Sequence, residues 1–595
     1  MKIPFPCIEP LESRIAPATL IVTSLADNGP GTLRAALITA NATPATPDTI
    51  LFKLPAAPAH SENTIDLTTG TLSSFGNVKI VGPGAGKLII DAQSNSTVFI
   101  ITDNGVTGRG ITVDSPTSIS GLSVTGGNTV GSGKGGGIYS TESLTLKNVV
   151  ISGNSVGGNT LADSGGGLAV VGAITSTRVF ISNCLFANNS SGGGGAGISL
   201  QGTKSVSISK SVFENNAARL IGGGAYLSSQ SSPGAITITG CTFTGNTVTS
   251  LGAGAGLVIE AGGVTTISAT KITGNGGGFI GGGLALGGRG GKTFITGSLI
   301  SANSAEYAAA GISDSDTGNI ATGATPPSLT ISRSIISGNK TTIAIQGVLG
   351  GAGIYIHGPD TGAGDYLPVS ITSTVISSNV SARAGGGILM EYGVVATLST
   401  CTISGNTAPS SGGGVAAGGS GTGHVTLTVK GGVISGNTSG VGGGGIFTAG
   451  DGTLSVISTL LSGNVAPVGG GIYARITSAA STPVVTLKNV SLSNNIALAD
   501  GGAFFAEVSN SSFSIIGGSM KGNLALNGGA IAVAYGGGGS ITGATISGNI
   551  ATGKGGGIFT DSATITAAAV TVQIAKVTGN TAPQGPDVFG PMTYV

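Results

Sequence analysis

The feature of this sequence that most constrains its fold is a short phrase that recurs along most of its length. The phrase is an apolar residue, two variable residues and then asparagine, as in "ISGN" ending at Asn406. Successive copies lie 26 to 40 residues apart, about 30 on average, which is the range of repeat architectures. The repeated asparagines are Asn154, Asn189, Asn216, Asn246, Asn275, Asn303, Asn339, Asn379, Asn406, Asn437, Asn464, Asn495, Asn523, Asn549 and Asn580.

A second marker stays in step with the first. It consists of small residues, mostly glycine, followed by an apolar residue, and in nine of fourteen copies this residue lies nine positions after the asparagine. Its apolar residues are Ile138, Leu168, Ile198, Ala225, Leu257, Leu284, Ile312, Ile354, Ile388, Val415, Ile446, Ile472, Phe504, Ile531 and Ile558.

Within one repeat the apolar residues alternate with polar ones. "AITITGCTFTGN", which ends at Asn246, has the period of two that is typical of a strand, and no helical pattern intervenes. Short strands that return to the same phase about every 30 residues predict an all-β chain, a right-handed parallel β-helix of about 17–18 rungs. At ~4.8 Å per rung the asparagines would stack as a hydrogen-bonded ladder and take up the left-handed backbone of a bend. The glycines would let adjacent rungs approach closely.

Composition excludes several classes of function. Only 8% of residues are charged, the net charge is +1 and no basic run occurs, so nucleic acid is not an expected partner. No stretch of 18 apolar residues could form a transmembrane helix. The three histidines are isolated in sequence, and neither a metal-ligand spacing nor a phosphate loop is found, so no cofactor is expected.

The repeats predict four regions along the chain. Residues 1–18 form an export-type or disordered segment, and residues 19–60 a strand-helix-strand cap. Residues 61–580 form the parallel β-helix, and residues 581–595 a terminator in which Pro586 and Asp587 stop the coil. Because both ends have caps, we expect a monomer.

Three cysteines test this register. Cys184, Cys241 and Cys401 each lie five residues before the asparagine of their repeat, which predicts an inward strand position. The first two would be two rungs, roughly 9–10 Å, apart, which is too far for a disulfide. We therefore predict buried free thiols.

Polar residues collect where the marker strands of the middle repeats end. The candidate acidic cluster is Asp314, Asp316, His357, Asp360, Asp365 and Glu391. Carboxylates on adjacent rungs would lie about 5–10 Å apart, a spacing that suits sugar hydrolysis or a calcium site. The alternative interpretation is that scattered charges keep a nearly neutral rod soluble.

Aromatic residues directly follow the marker residue in seven repeats. If the marker points inward, its successor points outward. The predicted binding stripe is Tyr139, Tyr226, Tyr355, Phe447, Tyr473, Phe505 and Phe559. Such a stripe can meet sugar rings or a protein partner, or it can instead cover the glycine-rich turns.

The paired markers resemble the repeats of the polymorphic outer membrane protein family, whose signatures are Gly-Gly-Ala-apolar and Phe-x-x-Asn. "GGAI" begins at Gly528, and "FANN", "FENN" and "FTGN" begin at Phe186, Phe213 and Phe243; the resemblance covers roughly residues 120–590. It implies an extracellular or cell-surface β-helix, associated with the outer membrane, with adhesion as the usual role. "LESRIAPA", from Leu11, resembles a motif of exported bacterial proteins.

The sequence therefore leaves two main functions open. The first is a non-enzymatic β-helix that binds carbohydrate or a surface protein, or that serves in the cell envelope. The alternative is a pectin-lyase-like polysaccharide lyase or glycoside hydrolase, because β-helices often carry such sites. A self-assembling filament is a third option that the caps disfavour.

Overall fold

The computed structural model describes most of the chain. The described residues are 17–44, 46–57, 61–75, 77–102, 114–129, 131, 133–172, 176–229, 234–249, 252–287, 291–315, 327–343, 350–359, 366–418, 424–450, 452–476, 483–508, 512–534, 538–561 and 570–594. Residues 1–16, which hold most of the predicted export-type segment, lie outside this set.

Three long parallel sheets run along a single coil, and each turn of the coil adds one strand to each sheet. Sheet 1 consists of Thr19–Val22, Asp48–Phe52, Val78–Val81, Thr117–Ser120, Leu144–Lys147, Arg178–Ser182, Ser205–Ser209, Ala235–Thr239, Val264–Ser268, Lys292–Thr296, Ser328–Ser332, Leu367–Thr372, Val394–Ser399, Val425–Lys430, Thr453–Ile457, Pro483–Lys488, Ser512–Ile516, Gly538–Thr542, Val570–Gln573 and Thr593–Tyr594. Sheet 2 consists of Asn63–Asp66, Leu88–Asp91, Ser123–Thr125, Val150–Ser152, Leu185–Ala187, Val212–Glu214, Thr242–Thr244, Lys271–Thr273, Leu299–Ser301, Ile335–Ser337, Val375–Ser377, Thr402–Ser404, Val433–Ser435, Leu460–Ser462, Ser491–Ser493, Ser519–Lys521, Thr545–Ser547 and Lys576–Thr578.

Sheet 3 contains the strands that begin at the glycine marker. It consists of Leu72–Ser74, Phe99–Ile101, Ile138–Ser140, Leu168–Val171, Ile198–Gln201, Ala225–Ser229, Leu257–Ala261, Leu284–Gly287, Ile312–Ser315, Ile354–His357, Ile388–Glu391, Val415–Ala417, Ile446–Gly450, Ile472–Ile476, Phe504–Val508, Ile531–Ala534, Ile558–Thr560 and Val588–Phe589. A short strand at Asn128–Thr129 follows Gly127, and further short strands follow the repeated asparagines, at Ser155–Val156, Ser190–Ser191, Ala217–Ala218, Thr247–Val248, Gly276–Gly277, Ser304–Ala305, Lys340–Thr341, Thr407–Ala408, Thr438–Ser439, Val465–Ala466, Ile496–Ala497, Leu524–Asn527 and Ile550–Lys554.

The register between rungs is the one that the repeat predicts. Ile388 pairs with Val415 across adjacent strands of sheet 3, and both side chains are fully buried. The marker residues join the inward residues of sheets 1 and 2 in one continuous apolar core that fills the coil. The predicted right-handed parallel β-helix is therefore confirmed, with 18 stacked strands in each of sheets 2 and 3 among the described residues.

The repeated asparagines form the predicted ladder inside this coil. The Asn406 Oδ1 atom accepts hydrogen bonds from the backbone amide of Asn379 at 3.0 Å and from its Nδ2 atom at 2.9 Å. The Nδ2 atom of Asn406 donates to the carbonyl oxygen of Ile376 and to the Asn437 Oδ1 atom. Both donors and both acceptor positions of the amide are thus used, which is why a buried polar side chain is stable at this position. The same bond joins each asparagine to the next from Asn154 to Asn580.

One detail of the predicted turn is wrong. The left-handed backbone belongs to the residue before the ladder asparagine, for example Gly405 at φ 62°, Asn188 at φ 55° and Ser378 at φ 56°. The ladder asparagine itself is kept out of that conformation because its amide must face the rungs above and below.

The asparagine ladder, but not the coil, ends at an aspartate. Asp587 Oδ1 accepts from the backbone amide and from the Nδ2 atom of Asn580, as the next asparagine would. Pro586 and Asp587 do not stop the coil, because Val588–Phe589 still pairs with sheet 3 and Thr593–Tyr594 with sheet 1. An acceptor-only side chain fits here because no further Asn follows in the ladder.

The three cysteines among the described residues are buried free thiols, as predicted. Cys184, Cys241 and Cys401 lie in the turn between sheets 1 and 2 and not on a strand, so that detail of the prediction is wrong. The turn position follows from the left-handed residue that precedes each of them, such as Asn183 at φ 52°. Burial raises the pKa of the Cys184 thiol to about 11.

The amino-terminal end is covered by a strand-helix-strand unit. Thr19–Val22 pairs in parallel with Asp48–Phe52, and the helix Leu33–Asn41 lies between them in sequence. Thr32 caps this helix, accepting a hydrogen bond from the Ala35 amide. The helix packs beside the first strand of sheet 3, where the Asn41 side chain donates to the Ser73 carbonyl oxygen.

A buried ion pair fastens this cap to the first rung. The Asp27 carboxylate accepts from Arg34 Nε at 2.9 Å and Nη2 at 2.6 Å, and its other oxygen accepts from the amides and hydroxyls of Thr68 and Thr69. Burial acts to raise the pKa of Asp27, but the hydrogen bonds from Thr69 and Arg34 outweigh it and the pKa is lowered.

We expect Asp27→Ala to loosen the cap by about 3 kcal/mol, because the half-buried Arg34 loses its charged partner and the Thr68 and Thr69 amides lose their acceptor. Amide hydrogen exchange in the helix should accelerate, whereas Asp66→Ala, which removes an exposed carboxylate nearby, should leave it unchanged. In the wild type, the stabilisation that the Asp27 carboxylate contributes is complete above its unfolded-state pKa of about 3.9. It is lost as the pH falls through the lower pKa of the folded state. Slow exchange in Asp27→Ala at pH 7 would contradict this account.

Candidate functional site

The outer face of sheet 3 carries the two classes of candidate residues that the sequence singled out. Side chains alternate along each strand, so the first and third residues face the core and the second and fourth face outward. We call the second and fourth positions of the sheet 3 strands the outer strip. Its aromatic and charged members are Tyr139, Tyr226, Glu260, Tyr355, His357, Glu391, Phe447, Tyr473, Arg475, Phe505, Glu507, Phe559 and Phe589.

The seven aromatic residues of the strip that the sequence predicted point away from the core but are largely covered. Tyr226, Tyr355, Tyr473 and Phe505 are buried, and Tyr139, Phe447 and Phe559 are half-buried. All of them except Tyr139 belong to small clusters separate from the main core; Tyr355, for example, is in one cluster with Ala309, Leu389 and Ala416. This packing favours the interpretation that most of them cover the turns, and the half-buried rings remain as contact surface.

The carboxyl-terminal half of the strip has a continuous aromatic stack. The ring centroids of Phe447 and Tyr473 lie 5.3 Å apart, and those of Tyr473 and Phe505 lie 5.2 Å apart. Beside this stack Arg475 forms an ion pair with Glu507, at 3.7 Å between Nε and Oε1, and the Arg475 side chain is 60% exposed. Tyr473 and Phe505 are buried, so the surface that can bind a sugar ring or a peptide is the half-buried ring of Phe447 beside the exposed Arg475.

Tyrosine and glutamate form the same pair at three places on the strip. The Tyr226 hydroxyl donates to Glu260 Oε2 at 2.8 Å, and the Tyr355 hydroxyl lies 3.4 Å from Glu391 Oε2. The Tyr473 hydroxyl donates to Glu507 Oε2. In each pair the tyrosine occupies the second position of one strand and the glutamate the fourth position of the next. The hydroxyl fixes the carboxylate, and burial raises the pKa of Tyr226 to about 12, with the Glu260 charge adding to the effect.

The predicted acidic cluster is only partly assembled. His357 pairs in register with Glu391 on adjacent strands of the outer strip, and the His357 ring lies 4.6 Å from the Tyr392 ring. Asp314 instead pairs with Leu286 and Ile356 in an inward column, on the opposite side of the sheet, where it lines a small cavity with Thr265, Thr293 and Ser328. Asp316, Asp360 and Asp365 lie outside the described residues. The structure thus separates Asp314 from His357 and Glu391, because one residue along a strand reverses the face.

The outer face of sheet 1 differs from the outer strip. The outward positions of sheet 1 carry mainly serine and threonine, such as Ser207, Thr237 and Thr266.

Among the described residues no three His, Cys, Asp or Glu side chains group closely enough to hold a metal ion. In the same part of the chain no helix is both long and apolar enough to cross a membrane.

Sequence reasoning missed Glu507 and the pairing of tyrosine with glutamate. The signal was present as spacing, since the glutamate follows its tyrosine by 34 residues in two pairs and by 36 in the third. Reading it requires the knowledge that the contact runs diagonally, from the second position of one rung to the fourth position of the next.

Comparisons with known proteins agree with this architecture. Residues 88–300 match the family model described as "Right handed beta helix region". Residues 543–561 match the "Chlamydia polymorphic membrane protein (Chlamydia_PMP) repeat". These matches confirm the resemblance that the paired markers indicated. No curated protein matches the chain in sequence.

Two solved structures align with most of the chain at low similarity. One is the A-module of mannuronan C-5 epimerase AlgE6 from Azotobacter vinelandii, with 14% identity and a TM-score of 0.26, covering 79% of this chain and 91% of that one. The other is the PL6 family alginate lyase AlyGC, with 10% identity and a TM-score of 0.21, covering 95% of this chain and 100% of that one.

Proposed function

We propose that this chain, a parallel β-helix with repeats of the polymorphic membrane protein type, is a non-catalytic carbohydrate-binding protein of the cell surface. The observation that carries the proposal is the outer strip, in which aromatic rings and hydrogen-bonding charged groups occupy one face of the rod. The half-buried ring of Phe447 and the exposed Arg475 lie on adjacent rungs in this face. Sugar recognition uses this combination, in which a ring packs against C–H groups and charged groups bind hydroxyls.

The test is a glycan array probed with the purified protein. Phe447→Ala and Arg475→Ala should each weaken the best binding signal about tenfold, since either group would supply roughly 1.4 kcal/mol. Thr237→Ala, on the outer face of sheet 1, is the matched control and should bind as the wild type does. Equal binding by all four proteins would contradict the proposal.

Catalysis is the second candidate, and the observation that favours it is the group formed by Tyr355, His357, Glu391 and Tyr392. It places an imidazole, a carboxylate and phenol groups together at mid-rod, and these are the groups that transfer protons in sugar chemistry. Incubation with polysaccharides, followed by assays for reducing sugar and for unsaturated product, separates the two functions. Turnover that disappears in His357→Ala would replace the binding proposal, and binding without product would support it.

A further inference from the structure

The short strands that follow the ladder asparagines carry exposed aliphatic side chains towards the carboxyl-terminal end of the rod. The last six of these strands form a sheet of their own, from Thr407–Ala408 to Ile550–Lys554. Leu498 is 71% exposed, and three further aliphatic residues are 36–47% exposed. We call the following residues, which lie on three successive rungs, the aliphatic patch: Ile496, Leu498, Leu524, Leu526 and Ile550.

The fold does not require large apolar side chains at these outward positions. In earlier rungs the residue that follows the ladder asparagine is small or polar, as at Ser190, Ala217 and Thr247. The inward residue of the same strands in the patch is a buried alanine, for example Ala497 and Ala525. The larger apolar residue thus faces solvent and the smaller one faces the core, which reverses the usual pattern of burial. Grouped apolar residues on a surface mark an interaction site.

A column with one charge of each sign runs beside the patch. Asp500, Asn527 and Lys554 pair across the same three rungs, so the anion and the cation lie on opposite sides of Asn527. The Asn527 Nδ2 atom donates to the Asp500 carboxylate at 3.0 Å, and no ion pair among the described residues includes Asp500. Burial raises the pKa of Asp500, and the charge of Asp561 adds to this effect. A cation from outside the chain would stabilise this carboxylate.

The order of these groups makes the surface complementary to itself. Most oligomers are symmetric, and a two-fold axis brings the same patch of both subunits together. An axis that crosses the rod at the rung of Leu524 sets the two rods antiparallel, so that the rung of Ile496 faces the partner's rung of Ile550. Asp500 of each copy then faces the partner's Lys554, and the two aliphatic patches meet between these charges. A second copy of the chain therefore meets both the apolar and the charge requirement.

We infer that the aliphatic patch is the contact between two copies of this chain, which pack side by side and antiparallel. The expectation of a monomer rested on the ends of the rod, whereas the patch lies on its side. The inference goes beyond the proposed function and does not depend on it, because the outer strip belongs to sheet 3. The patch is small, so the dimer should be weak and should form as the concentration rises.

The experiment is sedimentation velocity of the full chain at increasing concentration. The wild type should pass from monomer to dimer, and Leu498→Asp and Leu526→Asp should each raise the dissociation constant of the dimer about tenfold or more, because each places a charge in the apolar contact. Ile516→Asp is the matched control. Ile516 is 41% exposed on the outer face of sheet 1, in the same rung as Leu524, and its substitution should leave the dimer unchanged.

Charge reversal tests the antiparallel arrangement. Asp500→Lys or Lys554→Asp alone should weaken the dimer about tenfold, because like charges then face each other, and the double variant should restore it. Thermal midpoints near that of the wild type show that the variants are folded. A wild type that stays monomeric at every concentration would overturn the inference, even if it bound phosphatidylcholine vesicles through the patch. So would a dimer that both leucine substitutions leave intact, or a folded double variant that stays monomeric.

Discussion

Alanine in place of Gly414 is expected to destabilise the middle of the coil by about 3 kcal/mol or more. An ideal Cβ atom at this residue would lie 2.6 Å from the Gly445 carbonyl oxygen and 3.2 Å from the Asn437 amide group. That carbonyl cannot move away, because it accepts the 2.9 Å hydrogen bond from the Val415 amide that holds the two rungs together. The added methyl group must therefore push adjacent rungs apart, which is overpacking of a close-packed interior.

The matched control is alanine at Gly436. This glycine has φ +61° and no atom lies within 4 Å of its ideal Cβ position, so the cost is only the left-handed conformation, roughly 1–2 kcal/mol. Gly436→Asn should cost less still, because Asn188, Asn215 and Asn494 already occupy the equivalent position. Thermal midpoints and amide hydrogen exchange in the neighbouring rungs provide the measurement, since a solenoid responds locally. Equal destabilisation by Gly414→Ala and Gly436→Ala would contradict the role assigned to the rung contact.

Aspartate in place of Asn406 is expected to cost about 3–5 kcal/mol at neutral pH. Its Oδ1 atom can still accept from Asn379, but its second oxygen would face the Ile376 carbonyl oxygen and the Asn437 Oδ1 atom, which the amide nitrogen now satisfies. Acceptor then opposes acceptor, and a buried charge has no partner. The substitution changes shape hardly at all, so the loss reports on hydrogen bonding and charge alone.

The pH dependence distinguishes this mechanism from a packing defect. A protonated aspartic acid can donate where the amide did, so its folded pKa must rise above the unfolded value of about 3.9. The stability deficit of Asn406→Asp should then be smallest below pH 4 and grow as the pH rises through the folded pKa. Thermal unfolding at pH 3.5 and pH 7, with wild type measured in parallel, checks the sign.

The control for this substitution is the reverse change at the end of the ladder. Asp587→Asn should be nearly neutral, because Asn580 needs only acceptors from that residue and an amide oxygen supplies them. A deficit in Asn406→Asp that does not vary with pH would show that charge is not its origin.

Much of the candidate site could be predicted from the repeats, and the geometry of the strands explains which features could not. The repeats put the seven aromatic residues on one outward column, because a period of two fixes the face of every residue in a strand. They could not tell that Tyr355 is 2% exposed, since this ring lies in a cluster with Ala309, Leu389 and Ala416 from other rungs. They also grouped Asp314 with Glu391, although two and three residues after the marker lie on opposite faces.

The sequence by itself determined the fold, the register and the ladder of this protein. It could do so because each rung repeats the one before, so that residues about 30 apart are neighbours and Ile388 must meet Val415. Only the tertiary structure decided which side chains meet diagonally, as Tyr473 meets Glu507, and which outward rings are covered. Those contacts depend on the offset between positions of successive rungs and on the shape of the turns. Neither can be derived from the period of the repeat.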